Sequence, residues 1–371
     1  MKISFPHMGN LYIVLTSVLK ILGADIIVPP YNSKKTLSIG ARNSPEAVCL
    51  PYKLVLGNYI EAIEAGAEAI LMLDSPGICR LGQYSSSART TLLDLNYNVK
   101  FINFDLYKGR LIELFTKFKE ATGNNNPLDL IRAINIALIK ISALDKIDHA
   151  LAYYRAREIQ TGSADLRFKK CLKKIELAST QRECKKAVKY TLDQLSMVPV
   201  DKNKEILHVD LTGEIYVVLD QFSNLEIEKE LGKLGVHVHR KINLSDWTKA
   251  FLIPSLLRFS ETHGEKAQKF AKAFLKRDIG GDALESIGDT ALASYNNSDG
   301  VVHLLPFTCM PEIISQNILP NVRTERDIPV LSLVLDEHTG KTGYITRLEA
   351  FVDLIRRRRC RNNKSKIMLT R

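Results

Sequence analysis

Twice in this chain an apolar run is followed by proline and, three residues later, by cysteine. The stretch Ala69-Ile70-Leu71-Met72-Leu73-Asp74-Ser75 leads into Pro76-Gly77-Ile78-Cys79, and Val301-Val302-His303-Leu304-Leu305 leads into Pro306-Phe307-Thr308-Cys309. A short apolar run without alternation reads as a strand covered on both faces, the habit of parallel sheets flanked by helices. The surrounding sequence agrees. Residues 2–5, 25–28, 69–73 and 99–104 read as strands, and 11–22 and 52–65 have helical spacing, the latter stopped by Gly66. From about 107 to 195 there is no convincing strand. Asn124-Asn125-Asn126-Pro127 reads as a loop and helix start, and 128–160 and 164–195 are long helical patterns broken near Gly162. Strands return at 205–211, 236–239, 300–305 and 329–335. The expected class is α/β: an N-terminal lobe over 1–115, a helical domain over 116–200, a C-terminal lobe over 201–355 and a basic tail over 356–371. Two such lobes should face each other across a cleft, because open parallel sheets bind ligands beyond their strands' carboxyl ends.

Composition narrows the function. At 371 residues, 45% hydrophobic and 25% charged, the chain suits globular domains and excludes wholesale disorder or a fibrous repeat. The net charge of +11 is concentrated. Residues 356–371 carry eight basic groups and no acidic one, residues 163–191 carry nine against three, and the rest sums to −3. A solvated helix face and a frayed tail account for this; a docking surface for an acidic redox partner or nucleic acid is the sharper reading. No zinc-finger, RNP-type or KH-type signature favours nucleic acid. No apolar run is long enough to cross a membrane, so no membrane partner is expected. The apolar stretch 11–19 lacks a basic flank and a cleavage site, and reads as a buried helix of a cytoplasmic protein.

Six cysteines are too sparse for a disulfide scaffold. Cys171 and Cys184, thirteen residues apart in one helical pattern, fall about 220° apart at 3.6 residues per turn and share no face. With Cys360 in the arginine-rich tail, they read as bystanders. Cys49, Cys79 and Cys309 differ. Cys49-Leu50-Pro51 echoes Cys309-Met310-Pro311, which sets both cysteines just before a helix start, where orphan amides and the helix dipole favour thiolate. Three soft sulfurs at strand ends of two lobes suit an iron–sulfur cluster with one open iron or a zinc site with a further ligand. Separate buried thiols and a lone catalytic thiol also remain open.

Several stretches together resemble the 2-hydroxyacyl-CoA dehydratase superfamily, in its CoA-enzyme-activase-related branch. They are Phe5-Pro6-His7-Met8-Gly9, Pro45-Glu46-Ala47-Val48-Cys49-Leu50-Pro51-Tyr52-Lys53 and Asp74-Ser75-Pro76-Gly77-Ile78-Cys79-Arg80-Leu81-Gly82-Gln83-Tyr84. Leu211-Thr212-Gly213-Glu214-Ile215-Tyr216, Pro306-Phe307-Thr308-Cys309-Met310-Pro311-Glu312, Asp336-Glu337-His338-Thr339-Gly340 and Thr346-Arg347-Leu348-Glu349-Ala350-Phe351 continue the match over nearly the whole chain. The resemblance implies two Rossmann-like parallel-sheet lobes with a 4Fe-4S cluster in the cleft between them, held by Cys49, Cys79 and Cys309. It implies low-potential reductive chemistry fed by an ATP-dependent activase, itself an iron–sulfur dimer. An acyl-CoA or another small reducible molecule would meet an open iron. A non-catalytic electron carrier or scaffold, and a double-cubane-type reductase, are the alternatives; the latter needs thiolates that Cys171, Cys184 and Cys360 are poorly placed to give. Without a Walker P-loop, the chain is expected to accept the electron and not to hydrolyse ATP. A homodimer is left open.

Other groups join the list. His7 follows the first strand and is a candidate proton donor or fourth ligand. Glu214 follows the strand ending at Leu211 and is a candidate general acid, or else an exposed turn carboxylate. Lys53 and Arg80 flank cysteines and would balance cluster charge or hold a substrate anion. Gly77, a tight-turn residue, is grouped with them. Glu312 reads as plain compensation of a helix dipole.

Overall fold

The computed structural model describes residues 1–74, 79–105, 110–246, 248 and 261–369. Two four-stranded, all-parallel sheets form its frame. The first contains β1 (Lys2–Ser4), β2 (Asp25–Ile26), β3 (Ala69–Asp74) and β4 (Lys100–Asp105), in the order β2-β1-β3-β4. The second contains β5 (Leu207–Gly213), β6 (Val236–Arg240), β7 (Gly300–Pro306) and β8 (Val330–Leu335), in the order β6-β5-β7-β8. The same connection order thus occurs twice, so β1 corresponds to β5 and β3 to β7. All seven residues of β7 are buried, as a central strand with helices on both faces requires.

In the first lobe α1 (Leu11–Ile21), α2 (Lys34–Arg42), α3 (Leu50–Glu64) and α4 (Tyr84–Asp94) cover the sheet. The short polar α2 is absent from the sequence reading. It starts at Ser33, whose hydroxyl accepts the Thr36 amide at 3.2 Å. It also packs so tightly on α3 that a Cβ at Gly57 would lie 2.1 Å from the Thr36 carbonyl oxygen.

The helical segment comprises α5 (Arg110–Thr122), α6 (Pro127–Arg157), α7 (Ser163–Leu177) and α8 (Gln181–Ser196). Asn126 caps α6 through the Leu128 amide at 3.0 Å, with Pro127 in the first turn. The pattern over 164–195 is two helices, not one. Thr180 and Glu183 form a reciprocal capping box that starts α8 afresh. Cys171 and Cys184 therefore lie on different helices, so the angle of about 220° expected between them on a single helix does not exist. Both are buried. Two buried cations lock this segment in place. Lys140 donates to Ser17 at 2.7 Å and to the Glu176 carbonyl at 2.8 Å, and Arg155 pairs with Asp165 at 2.6 Å and Glu228 at 3.1 Å.

The second lobe adds α9 (Ile215–Leu219), α10 (Ile227–Lys233), α11 (His263–Ala271), α12 (Ala283–Ala293), α13 (Met310–Arg326) and α14 (Lys341–Leu369). The basic run from Arg356 continues α14, and Arg358 and Arg359 pair with Asp327 and Asp299.

The lobes meet closely. One apolar cluster joins α3 and β3 of the first to β5–β8 of the second. Gly9 is left-handed at φ 48°, and a Cβ there would sit 2.4 Å from the Leu219 carbonyl oxygen. Asn32 donates to Tyr216 and Asp220, each at 2.9 Å, and the Tyr216 hydroxyl donates to the His7 carbonyl at 2.9 Å.

Gly57→Ala should cost about 1–3 kcal/mol, the usual range for overpacking. Gly343→Ala, in α14 with nothing within 4 Å of the added methyl, should be neutral or stabilising. Urea denaturation of the two variants checks this, and equal effects would contradict the close α2–α3 contact.

Candidate functional site

The connection order puts a switch point in the middle of each sheet, between β1 and β3 and between β5 and β7. Loops leaving the carboxyl ends of such strands part company and open a crevice. Those four loops carry His7, Cys79, Glu214 and Cys309.

Each of the three candidate cysteines stands at a helix start. Cys49 is the N-cap of α3 and Cys309 of α13, each with proline in the first turn, and Cys79 precedes a 3-10 turn at Arg80–Gln83. Their backbones are extended, with φ of −70°, −71° and −64° for Cys49, Cys309 and Cys79, and no sulfur makes a capping hydrogen bond. Thr308, just before Cys309, is left-handed at φ 66°, and its buried Oγ1 has no partner. For a β-branched residue this conformation costs about 1–2 kcal/mol.

The electrostatics tie the three thiols together. Burial pushes the Cys49 thiol up, and Glu214 adds to this, while the Tyr84 hydroxyl and Arg80 oppose it. Burial, then Glu214, Asp282 and Cys49, push Cys79 up to about 11. Burial, Glu214, Glu312 and Cys49 push Cys309 up further still. The Tyr84 hydroxyl lies 2.7 Å from Cys49 Sγ, and its ring meets Tyr52 edge-on. Glu214 caps α9 through the Val217 amide at 3.1 Å. A small edge of it remains accessible, yet protein surrounds the carboxyl group, and burial raises it to about 7 with help from Glu312. It is not an exposed turn carboxylate. Asp282 accepts the Ile215 amide at 2.9 Å, and burial followed by Glu285 and Glu214 raises it well above the usual carboxylate range.

This donor set suits a cationic guest. Three thiols and several carboxylic acids are desolvated together, and each disfavours the ionisation of the others. A thiolate-bound metal group would supply the missing positive charge and take up the sulfurs. Among the described residues the three cysteine sulfurs do not lie within 4.8 Å of one another. A single tetrahedral ion with Zn–S of about 2.3 Å needs sulfurs about 4 Å apart. A cubane does not, because each thiolate binds a different corner.

The remaining candidates divide. Arg80 acts on Cys49 and also donates to the Ala47 carbonyl. Lys53 is buried and paired with Glu337 of the other lobe, and it donates to the Glu46 carbonyl at 3.3 Å. His7 is 3% exposed, with its ring stacked on Tyr12 at 5.2 Å and tilted against Tyr31 at 4.8 Å, and burial lowers it to about 4. Its Nδ1 has no hydrogen-bond partner. Gly77 lies outside the described residues. Glu312 is not simple dipole compensation. It is fully buried, 2.6 Å from His303 Nε2, and accepts from Ser286 at 3.1 Å.

The family described as the CoA enzyme activase uncharacterised domain, DUF2229, matches residues 6–242. The chain belongs to this family. The DUF2229 match includes Cys49, Cys79 and Glu214, and it ends before Cys309. No curated protein matches the chain significantly.

Sequence reasoning missed Asp282, Glu285 and the contact of Tyr84 with Cys49. Tyr84 stands in a stretch quoted for the resemblance, but only the fold brings it to a residue 35 positions away. Glu285 yields a test. Burial raises it to about 7, while Gln268 donates to it at 2.7 Å. An unfolded glutamate releases its proton near 4.5, so the folded chain binds the extra proton between about 4.5 and 7 and loses stability as pH rises through that window. Glu285→Gln keeps an acceptor for Gln268 and should remove on the order of 2 kcal/mol of that loss between pH 5 and 8. Denaturation series of both proteins measure it; parallel pH profiles would refute the assignment.

Proposed function

We propose that this chain carries a 4Fe-4S cluster on Cys49, Cys79 and Cys309 and accepts low-potential electrons from an ATP-dependent activase, for the reduction of a small molecule such as an acyl-CoA. The observation that supports this reading is that three thiols, each just before a helix start, all feel the Glu214 carboxyl, with Cys79 and Cys309 at the switch points of two matched sheets. Membership of a family described by CoA enzyme activases supports the activase connection.

When bound, such a cluster would store and pass on single electrons and offer an open iron to a ligand. The chain's own residues do the rest. The amides of Tyr52, Leu81 and Glu312 face the three sulfurs and favour their thiolates. The Tyr84 hydroxyl next to Cys49 Sγ withdraws charge from it, which tunes a thiolate ligand. Arg80 offsets anionic charge at Cys49. Glu214, poised near neutrality by burial, can hold a proton at its carboxyl group and release it within the cleft. That poise favours an enzyme over a plain electron carrier.

Anaerobically purified protein should be brown and contain about four irons and four sulfides per chain. Cys309→Ser should lose most of the iron, whereas Cys184→Ser, on α8, should keep it. Zinc without sulfide, or equal losses in the two variants, would end the proposal. Cyanide should perturb the EPR spectrum of the reduced cluster. An unperturbed spectrum would assign the chain to electron carriage with a closed cluster.

A further inference from the structure

The second lobe holds a separate group of side chains on its edge strand β6 and the adjoining β5, outside the switch-point loops. His208 lies near the start of β5, and His237 and His239 lie on the neighbouring edge strand β6. Strand alternation puts His237 and His239 on one face, and the parallel register sets His208 beside His237. The rings collect into a stack. The His237 and His239 centroids are 4.4 Å apart at 24°, those of His208 and His239 5.2 Å apart at 18°, and those of His208 and His237 5.3 Å apart. His208 Nδ1 lies 2.8 Å from His239 Nε2. One ring nitrogen from each of the three falls within 4.8 Å of the others, and all three residues are half-buried.

We propose that His208, His237 and His239 form a second metal site, for a divalent ion of the zinc type. Three neutral imidazoles are a standard ligand set for such ions, which also favour a fourth position open to solvent. A tetrahedral ion with Zn–N of about 2.0–2.1 Å sets its nitrogens about 3.3 Å apart, so the rings must turn out of their stack to close on one ion. The two strands supply a rigid base.

The surrounding charges are mixed. Arg157 Nη1 is 3.5 Å from His237 Nδ1, and its guanidinium lies over the Tyr153 ring on α6. Lys241 and Arg359 add positive charge. Asp299, whose Oδ2 accepts the His208 amide at 2.7 Å, and Asp210, paired with Lys241 at 2.9 Å, add negative charge. His149 on α6 also acts on His237 and His239. Arg157 is therefore the group that opposes a cation most directly.

The test is a Co2+ titration of the full chain without oxygen. Cobalt on thiolates gives intense near-ultraviolet charge-transfer bands, whereas cobalt on imidazoles gives only weak visible bands. One equivalent should bind with visible bands alone, separately from any thiolate-bound metal. His237→Gln and His239→Gln should each weaken it at least tenfold and leave thiolate bands unchanged. Arg157→Gln should tighten it several-fold, and this variant keeps all three ligands if a histidine variant folds poorly. Absence of the visible bands overturns the site, as does a titration unmoved by all three substitutions. The result is independent of iron at the cysteines, so the two proposals fail separately.

Discussion

Desolvation of groups that would rather be anionic is the constraint around which this molecule is arranged. Thiols at Cys49, Cys79 and Cys309 and carboxyls at Glu214, Asp282 and Glu312 act on one another in one region, and Arg80 sets a positive charge near Cys49. A protein builds such a region at a cost in stability. The helix starts lower the cost by turning amides toward sulfur, and the His303–Glu312 pair satisfies the deepest acid. The left-handed Thr308 adds strain at the same place, which is where functional sites usually store it.

The architecture follows from pairing two sheets of the same order. Each contributes the loop after its first central strand and the loop after its second. The equivalent positions carry cysteine in both lobes, Cys79 and Cys309, but the other pair differs. His7 occupies one and Glu214 the other. Glu214 acts on all three thiols, whereas His7 is held among Tyr12, Tyr31 and the lobe contact. The cleft is chemically lopsided on a nearly repeated frame.

Much of this was legible in the sequence. The β3 and β7 strands were, because a strand buried on both faces must be apolar throughout. The proline after Cys49 and after Cys309 marked two helix starts, and the strand-end rule grouped the cysteines. The helix α2 was not legible, since its weakly apolar sequence relies on one serine cap and on glycine contacts with α3. The break at 178–180 was legible in principle, because Thr180 and Glu183 have capping-box spacing. The approach of Asp282 to Cys79 and of Tyr84 to Cys49 was not, because tertiary packing alone makes those neighbours. The spacing of His237 and His239 announces a shared face, but only the strand register adds His208.

The part-buried Lys53–Glu337 pair fastens one flank of the lobe contact. It spans the two lobes beside the first turn of α3. Removing the carboxylate would leave the buried ammonium uncompensated, which costs up to about 3–5 kcal/mol. That flank therefore behaves as a fastened seam, whereas Phe307, two residues before Cys309, stands exposed.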